Sequence, residues 1–395
     1  MPRSTEELLD ELLIQLDAEL PAATALRRRL HSVPELAHAE HATAALVAES
    51  LPVASEAVAG TGRLVRVGPR TGAPIAVRAE LDGLPVHERT GAAFSAQGEA
   101  MHACGHDVHM AALVALVRAA HRLDEVLPAP LLAVFQPSEE AYPSGAELLA
   151  TGALARAAPA AVVAAHVQPE LAWGSVALDA GVVNASSDSV EIEIEGEQSH
   201  AAYPHRGRDP IVAIAQVVLA LHARAGRAVD PLAPATLNVG VVEAGTIENV
   251  IPGRARARAT LRAYRLEDRE TLRRIVVEVV EGVAAAHGCR GTAELVAGEP
   301  ALANDAGIVG AARPLLAGAG FELAPEWRSV GSDDFAFFGG LAPIAMAFVG
   351  LAGAPAFRER PLHHPELLPP EESVAAVART LAVLFVAATT SLGRS

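Results

Sequence analysis

The apolar residues of this chain fall into three successive patterns. Behind Ser4 and Glu7, a capping box, Leu8, Leu9, Leu12 and Leu13 recur at helical spacing, so an amphipathic helix starts at the N-terminus. A second helical stretch is predicted from about Ala22 to His31, closed by Val33-Pro34. Short, nearly unbroken apolar runs follow at 72–80, 131–135 and 161–165, the mark of strands buried on both faces, with a helix predicted over 110–121. Each run stops at polar residues able to bind a metal: Glu80 and Asp82, then Glu139 and Glu140, then His166. That recurrence is expected of an α/β sheet whose active site lies at the carboxyl ends of its strands.

Near residue 186 the pattern becomes strict alternation. Val190-Glu-Ile-Glu-Ile-Glu195 reads as a strand with one wet face, and 253–262 alternates in the same way, placing Arg254, Arg256, Arg258 and Arg262 on one side. Helices are predicted from Asp209-Pro210 to about Ala225 and along the stripe Leu272, Ile275, Val276, Val279, Val280 and Val283. Two helices on one face of an antiparallel sheet is the economical assembly for 186–296. Beyond it the chain returns to buried α/β character, with a strand at 343–349 and a closing helix at about 370–392. The predicted architecture is therefore an α/β domain, residues 1–185 and 297–395, interrupted by a smaller α+β domain, residues 186–296.

Chemistry concentrates in 101–109, MHACGHDVH, where Cys104, His102, His106, His109 and Asp107 crowd nine residues. Two residues apart on an extended segment, Cys104 and His106 would leave the same face, just ahead of a helix N-terminus that favours thiolate and carboxylate. A buried cysteine beside surface histidines is the alternative. The pair Glu139-Glu140 could place one carboxylate on a metal and the other on water, although such a pair is more often a solvated surface feature.

Composition narrows the classes. The chain has 395 residues, 51% of them hydrophobic, with a net charge of −16, which suits a soluble two-domain protein and disfavours nucleic acid as a partner. Every side-chain cation of fixed charge is arginine. Two cysteines make no disulfide framework, so a reducing, cytoplasmic location is expected. The N-terminus does not resemble a signal peptide, and no apolar run of membrane-spanning length is expected.

Ordered motifs run through nearly the whole chain: Arg28-x-Leu-His-x-x-Pro-Glu35, Arg78-Ala-Glu-Leu-Asp-Gly-Leu-Pro85, the HACGHD stretch, Phe135-Gln-Pro-Ser-Glu-Glu140, His166, Ser199-His-Ala-Ala-x-Pro-His205, Asn249-Val-Ile-Pro252 and His363-His-Pro365. Together they resemble the M20 metallopeptidase and amidohydrolase family, in particular its hippurate hydrolase-like and auxin-conjugate-hydrolase-like branch. The resemblance implies a two-metal catalytic domain and a smaller lid that usually dimerises. It assigns Cys104, His106, Glu140, His166 and His363 as ligands, with His364 the fallback for the last, and Glu139 as the general base. It further gives Asp82 the orienting of the metal centre, His200 the stabilising of the tetrahedral oxyanion, often across to a partner subunit, and Asn249 and Arg262 the holding of substrate. His102 and His109 could support the ligands or simply pack.

The implied reaction is hydrolysis of the amide of an N-acyl-L-amino acid, acetyl- or benzoyl-type, with two divalent ions. Thiolate and imidazole lean toward zinc, while the carboxylates also admit manganese, cobalt or nickel. A dipeptidase or aminopeptidase-like hydrolase would share the ligand set. A metal-free binding protein on the same fold should have lost a ligand or Glu139, and neither is lost. Two departures, Ala-Tyr-Pro-Ser-Gly145 after Glu140 and Gln198-Ser199-His200 in place of Gly-Gly-His, bear on the acyl preference.

Overall fold

A computed structural model describes residues 4–124 and 126–392, and the chain divides into two compact units. The first holds residues 1–181, 303–327 and 334–395, and the second 182–302 and 328–333. The turnover points thus lie at 181/182 and 302/303, a few residues from 185/186 and 296/297, and the short segment 328–333 returns to the second unit.

The first unit is built on an eight-stranded sheet in the order Glu56–Val58, Gly62–Val67, Leu131–Gln136, Ile75–Glu80, Ala161–Ala172, Ile344–Ala352, Ser175–Ala177, Glu322–Leu323. Its four central strands, Leu131–Gln136 to Ile344–Ala352, are mutually parallel. Every residue of Ile75–Glu80 and Leu131–Gln136 is buried, which explains their largely apolar character; the buried polar residues are Arg78, Glu80 and Gln136. The helices Thr5–His31, His106–His121 and Ser373–Leu392 pack on one another and share one core with the sheet.

Three expectations change here. The two N-terminal helices are one, Thr5–His31, with Pro21 inside it. Leu12, Leu16, Ala23, Leu26 and Leu30 continue a single buried stripe past the proline, and the carbonyl that Pro21 leaves unpaired belongs to exposed Asp17, where water can serve it. Secondly, the strand carrying His166 does not end there but continues to Ala172. Its pairing with Ile75–Glu80 runs from Ile75–Ala161 to Arg78–Ala164, so His166 lies level with the end of that neighbour. Thirdly, two helices, Pro210–Ala228 and Ser373–Ser391, do reach the length and apolarity of a membrane span. Ser373–Ser391 is mostly buried in the first unit's core, while Pro210–Ala228 is amphipathic.

In the second unit four antiparallel strands lie in the order Ala235–Ala244, Arg254–Ala263, Ser186–Glu195, Arg290–Ala297. Helices Pro210–Ala228 and Leu266–Ala286 bury Ile214, Val217, Leu221, Leu272, Val276 and Val280 against Val190, Ile192 and Ile194. The other sheet face carries Arg254, Arg256 and Arg258 across from Glu195, Glu193 and Glu191, with Arg256 Nε donating to Glu193 at 2.8 Å, the solvated face their alternation predicts. The strand Arg290–Ala297 is not predicted, because its inward positions Gly291 and Ala293 are too small to mark a period.

Candidate metal centre

The site grows from strand ends and the loops that leave them. After Leu131–Gln136, the chain turns through Ser138, at φ 47°, into Glu139 and Glu140. Buried Glu40 accepts the Ser138 N–H at 2.8 Å and the Thr61 hydroxyl at 2.6 Å, pinning the start of that loop. Asp82, just past the strand Ile75–Glu80, accepts the Glu140 N–H through Oδ2 at 2.9 Å. Beneath, Asp334 takes hydrogen bonds from the Gln136 amide at 2.8 Å, Ser144 Oγ at 2.7 Å and Arg78 Nη2 at 2.8 Å. The adjacent carboxylates are therefore held on a loop whose backbone is fixed from both sides.

Cys104 and His106 do not share an extended segment, contrary to the sequence expectation. Gly105 occupies the left-handed region at φ 86° as the helix N-cap, so Cys104 precedes the helix and His106 is its first residue. Any Cβ at Gly105 would stand 2.6 Å from Val167 Cγ2, which fits only glycine. The turn converts sequence neighbours into side chains that converge with His166, whose Nε2 lies 3.4 Å from Cys104 Sγ.

Backbone carbonyls set both histidines. The His106 Nδ1–H donates to Asp82 O at 2.9 Å and the His166 Nδ1–H to Val167 O at 2.7 Å. A carbonyl can only accept, so in each ring Nδ1 carries the proton and Nε2 is the ligand-type nitrogen. His106 Nε2 faces Glu139 Oε2 and Glu140 Oε1, each at 3.9 Å. His363 joins from the last part of the chain, with Nε2 3.5 Å from Glu140 Oε1. Its φ is 66° and its N–H donates to Ala103 O at 2.8 Å, which ties it to the Cys104 turn. His364 instead turns to its own loop, where Nδ1 accepts the Glu366 N–H at 3.0 Å.

These groups fit divalent ions. Cys104, His106 and Glu140 bring ligand atoms within 4.8 Å of one another, and so do Glu80, His106, His109 and His166. Donor pairs at 3.4–3.9 Å match atoms that each sit roughly 2.0–2.3 Å from one ion. His106 Nε2 and Asp82 Oδ1 are buried without a hydrogen-bond partner, a costly arrangement that a cation relieves. Burial holds the His106 imidazolium well below its ordinary pKa, so the ring is in the neutral, ligating form. Burial also pushes the Asp82 carboxyl up to about 6, against the backbone N–H groups of Glu140 and Glu139.

The remaining candidates lie in the second unit. His200 sits on the two-residue strand Ser199–His200, paired with Val250–Ile251, and its Nδ1 accepts the Ala202 N–H at 3.0 Å. Asn249 adjoins it, its carbonyl accepting the Ala201 N–H at 3.0 Å. Arg262 donates through Nη1 to Val330 O at 3.1 Å and Ser332 Oγ at 3.4 Å. His200 and Asn249 are thus together near Arg254, the start of Arg254–Ala263, whereas Arg262 is near its end.

One supporting group goes unforeseen. Asp107 is buried between Arg27, whose Nε donates at 2.7 Å, and His31, whose Nδ1 donates at 2.9 Å, and His31 Nε2 reaches Glu88 at 3.1 Å. Burial pushes the His31 imidazolium down, but Asp107 and Glu88 override it and raise the pKa to about 9. The motif's Arg28 is instead at the surface, with Glu371. The signal available was Asp107 itself, the one acidic residue of the helix His106–His121.

Residues 76–386 match the model of peptidase family M20/M25/M40. The chain is 33% identical to an N-acetyl-L-cysteine deacetylase of Bacillus subtilis over 346 residues, 86% of this chain and 82% of that one. It is 30% identical to an N-acetyldiaminopimelate deacetylase of Bacillus licheniformis over 376 residues, 93% and 98% of the two chains. A crystal structure of a Bacillus subtilis protein described as a dinuclear metal binding peptidase of the M20 family superposes with a TM-score of 0.81 at 28% identity, covering 94% of this chain and 98% of that one.

Proposed function

The chain belongs to peptidase family M20/M25/M40, and from that premise we propose that it removes the acyl group, acetyl or benzoyl, from an N-acyl-L-amino acid. The observation that carries this reading is the convergence of Cys104, His106, Glu140, His166 and His363 beside a second carboxylate, Glu139. The five are the ligands of two divalent ions. When bound, such ions supply Lewis acidity, making water acidic enough to react near neutral pH and polarising the scissile carbonyl. Zinc suits the thiolate and imidazoles, and manganese the carboxylate-bearing part of the set.

The chain's own groups do the rest. Glu139 takes the proton of the attacking water and passes it to the leaving amine, a transfer worth roughly 10²–10⁴-fold. Asp82 fixes Glu140 through its backbone and His106 through its carbonyl, and so orients two ligands at once. His200 meets the oxyanion, and Asn249 and Arg262 hold the substrate's polar ends.

Those last three also support a homodimer. From Arg254 to Arg262 a strand rises about 27 Å at roughly 3.4 Å per residue, more than a small amide can span. A site using both ends therefore draws on two chains. The strand Ala235–Ala244 is an edge of its sheet, with Ile211, Val212, Leu219, Val242 and Ile247 exposed on it or on the neighbouring helix and loop, as an interface between copies requires. Neither Cys104 nor Cys289 is in a disulfide, in keeping with a cytoplasmic protein.

A panel of N-acetyl-cysteine, N-acetyl-diaminopimelate, N-acetyl-methionine, N-benzoyl-glycine and unblocked dipeptides tests the reading. Release of free amino acid from the acylated compounds, and little from the dipeptides, is expected. Preference for dipeptides would move the chain to the peptidase side of the family.

A further inference from the structure

Of the four ligand-type residues Glu80, His106, His109 and His166, one is not available to an ion. The Val167 N–H donates to His109 Nε2 at 3.1 Å, and the His109 Nδ1–H donates to Glu80 Oε2 at 2.8 Å. Since Nε2 accepts a backbone N–H, the ring is the Nδ1–H tautomer, and both nitrogens are spent. Glu80 in turn is paired with Arg78, whose Nε donates to Gln136 Oε1 at 2.8 Å. His109, Glu80 and Arg78 are all buried.

The backbone of one residue, Val167, joins His109 to the ligand. While the Val167 N–H is tied to His109, the Val167 carbonyl accepts the His166 Nδ1–H. His109 also lies one turn from His106 on the helix His106–His121. The chain of contacts therefore links strand Ile75–Glu80, the helix and strand Ala161–Ala172 at the point where two ligands leave them.

We propose that His109 is a positioning residue of the metal centre, fixing through Val167 the distance between His166 and Cys104, and so the affinity for the ion that His166 holds. This rests on the two-ion reading of the site. Hydrogen-bond partners of metal-binding groups typically change affinity 10–100-fold when removed. Replacing His109 therefore loosens one ion by that factor and spares the other.

The test is zinc titration of metal-depleted protein against a chromogenic chelator, for the wild type, His109→Leu and His109→Gln. Leucine removes both hydrogen bonds, whereas glutamine can still accept the Val167 N–H. The wild type should bind two equivalents. His109→Leu should keep one site within about twofold and weaken the other 10–100-fold, and His109→Gln should recover most of that loss. Two unchanged sites in His109→Leu would overturn the positioning role alone. Equal weakening of both sites, or no recovery in His109→Gln, would reduce His109 to general packing and overturn it too. A wild type that binds no ion would remove the two-ion reading and this inference with it.

Discussion

Gly105→Ala is the sharpest structural test of how the site is assembled. An alanine there must adopt φ near 86°, a left-handed conformation that costs about 1–2 kcal/mol for a residue with a Cβ. Its Cβ would also stand 2.6 Å from Val167 Cγ2, about 1 Å inside the usual 3.5–4.0 Å contact. Val167 is fully buried and its N–H is held by His109, so it cannot swing away freely. Overpacking of this kind costs about 1–3 kcal/mol, giving roughly 2–5 kcal/mol in all. Whichever side yields, a proposed ligand moves, Cys104 and His106 on the turn or His166 on the strand. Denaturant unfolding of metal-depleted protein measures the first effect, and zinc stoichiometry the second. Val167→Ala in the same chain removes Cγ2, so a double-mutant cycle should return a coupling of about 1–3 kcal/mol with the backbone part left over. A Gly105→Ala protein within 0.5 kcal/mol of wild type, with two zinc ions and no coupling to Val167, would refute the close approach of turn and strand.

Other expectations follow from the same geometry. Glu139→Gln should lower kcat by roughly 10²–10⁴ while retaining both ions; retained turnover would remove Glu139 from proton transfer. His200→Ala should lower kcat without loss of metal, and an unchanged rate would contradict its oxyanion role. Zinc at about 100 times its dissociation constant should stabilise the first unit by about 2.7 kcal/mol per ion, read as a rise in unfolding temperature that chelation reverses. Asp188 governs an acid-dependent part of the second unit's stability. Burial alone would raise its carboxyl, but the hydrogen bond and charge of Arg269, with the charge of Arg273, hold it below the ordinary value. A carboxyl depressed on folding stabilises above its unfolded pKa of about 3.9, and that contribution fades as pH falls through the lower folded value. Asp188→Asn should therefore be less stable than wild type at pH 7, with the gap narrowing below about pH 4. A gap that stays constant into acid would contradict the pairing.

How far the sequence leads depends on which force shapes each part. Buried strands such as Ile75–Glu80 and Leu131–Gln136 are legible because both faces need apolar side chains, and strand ends are legible because the ligand-type residues interrupt them. The short strand Arg290–Ala297 is not, since small inward residues leave no periodic trace. Pro21 misleads in the opposite direction: local chemistry suggests a break, but packing of Leu16 and Ala23 on one core carries the helix through. At the site, residue types are visible while their means of convergence are not. Cys104 and His106 meet by a left-handed turn rather than an extended face, and His363 lies beside Glu140 with its N–H held by Ala103, some 260 residues away. Arg27, His31 and Glu88 around Asp107 are likewise a long-range arrangement that spacing does not reveal.

The most direct test of the central claim is the rate of N-acetyl-amino acid hydrolysis by chelator-stripped protein as zinc or manganese is added back, with bound metal counted in the same samples. Two ions per chain and activity that rises with their occupancy are predicted. Turnover by metal-free protein, or two bound ions with no hydrolysis of any acylated amino acid, would contradict it.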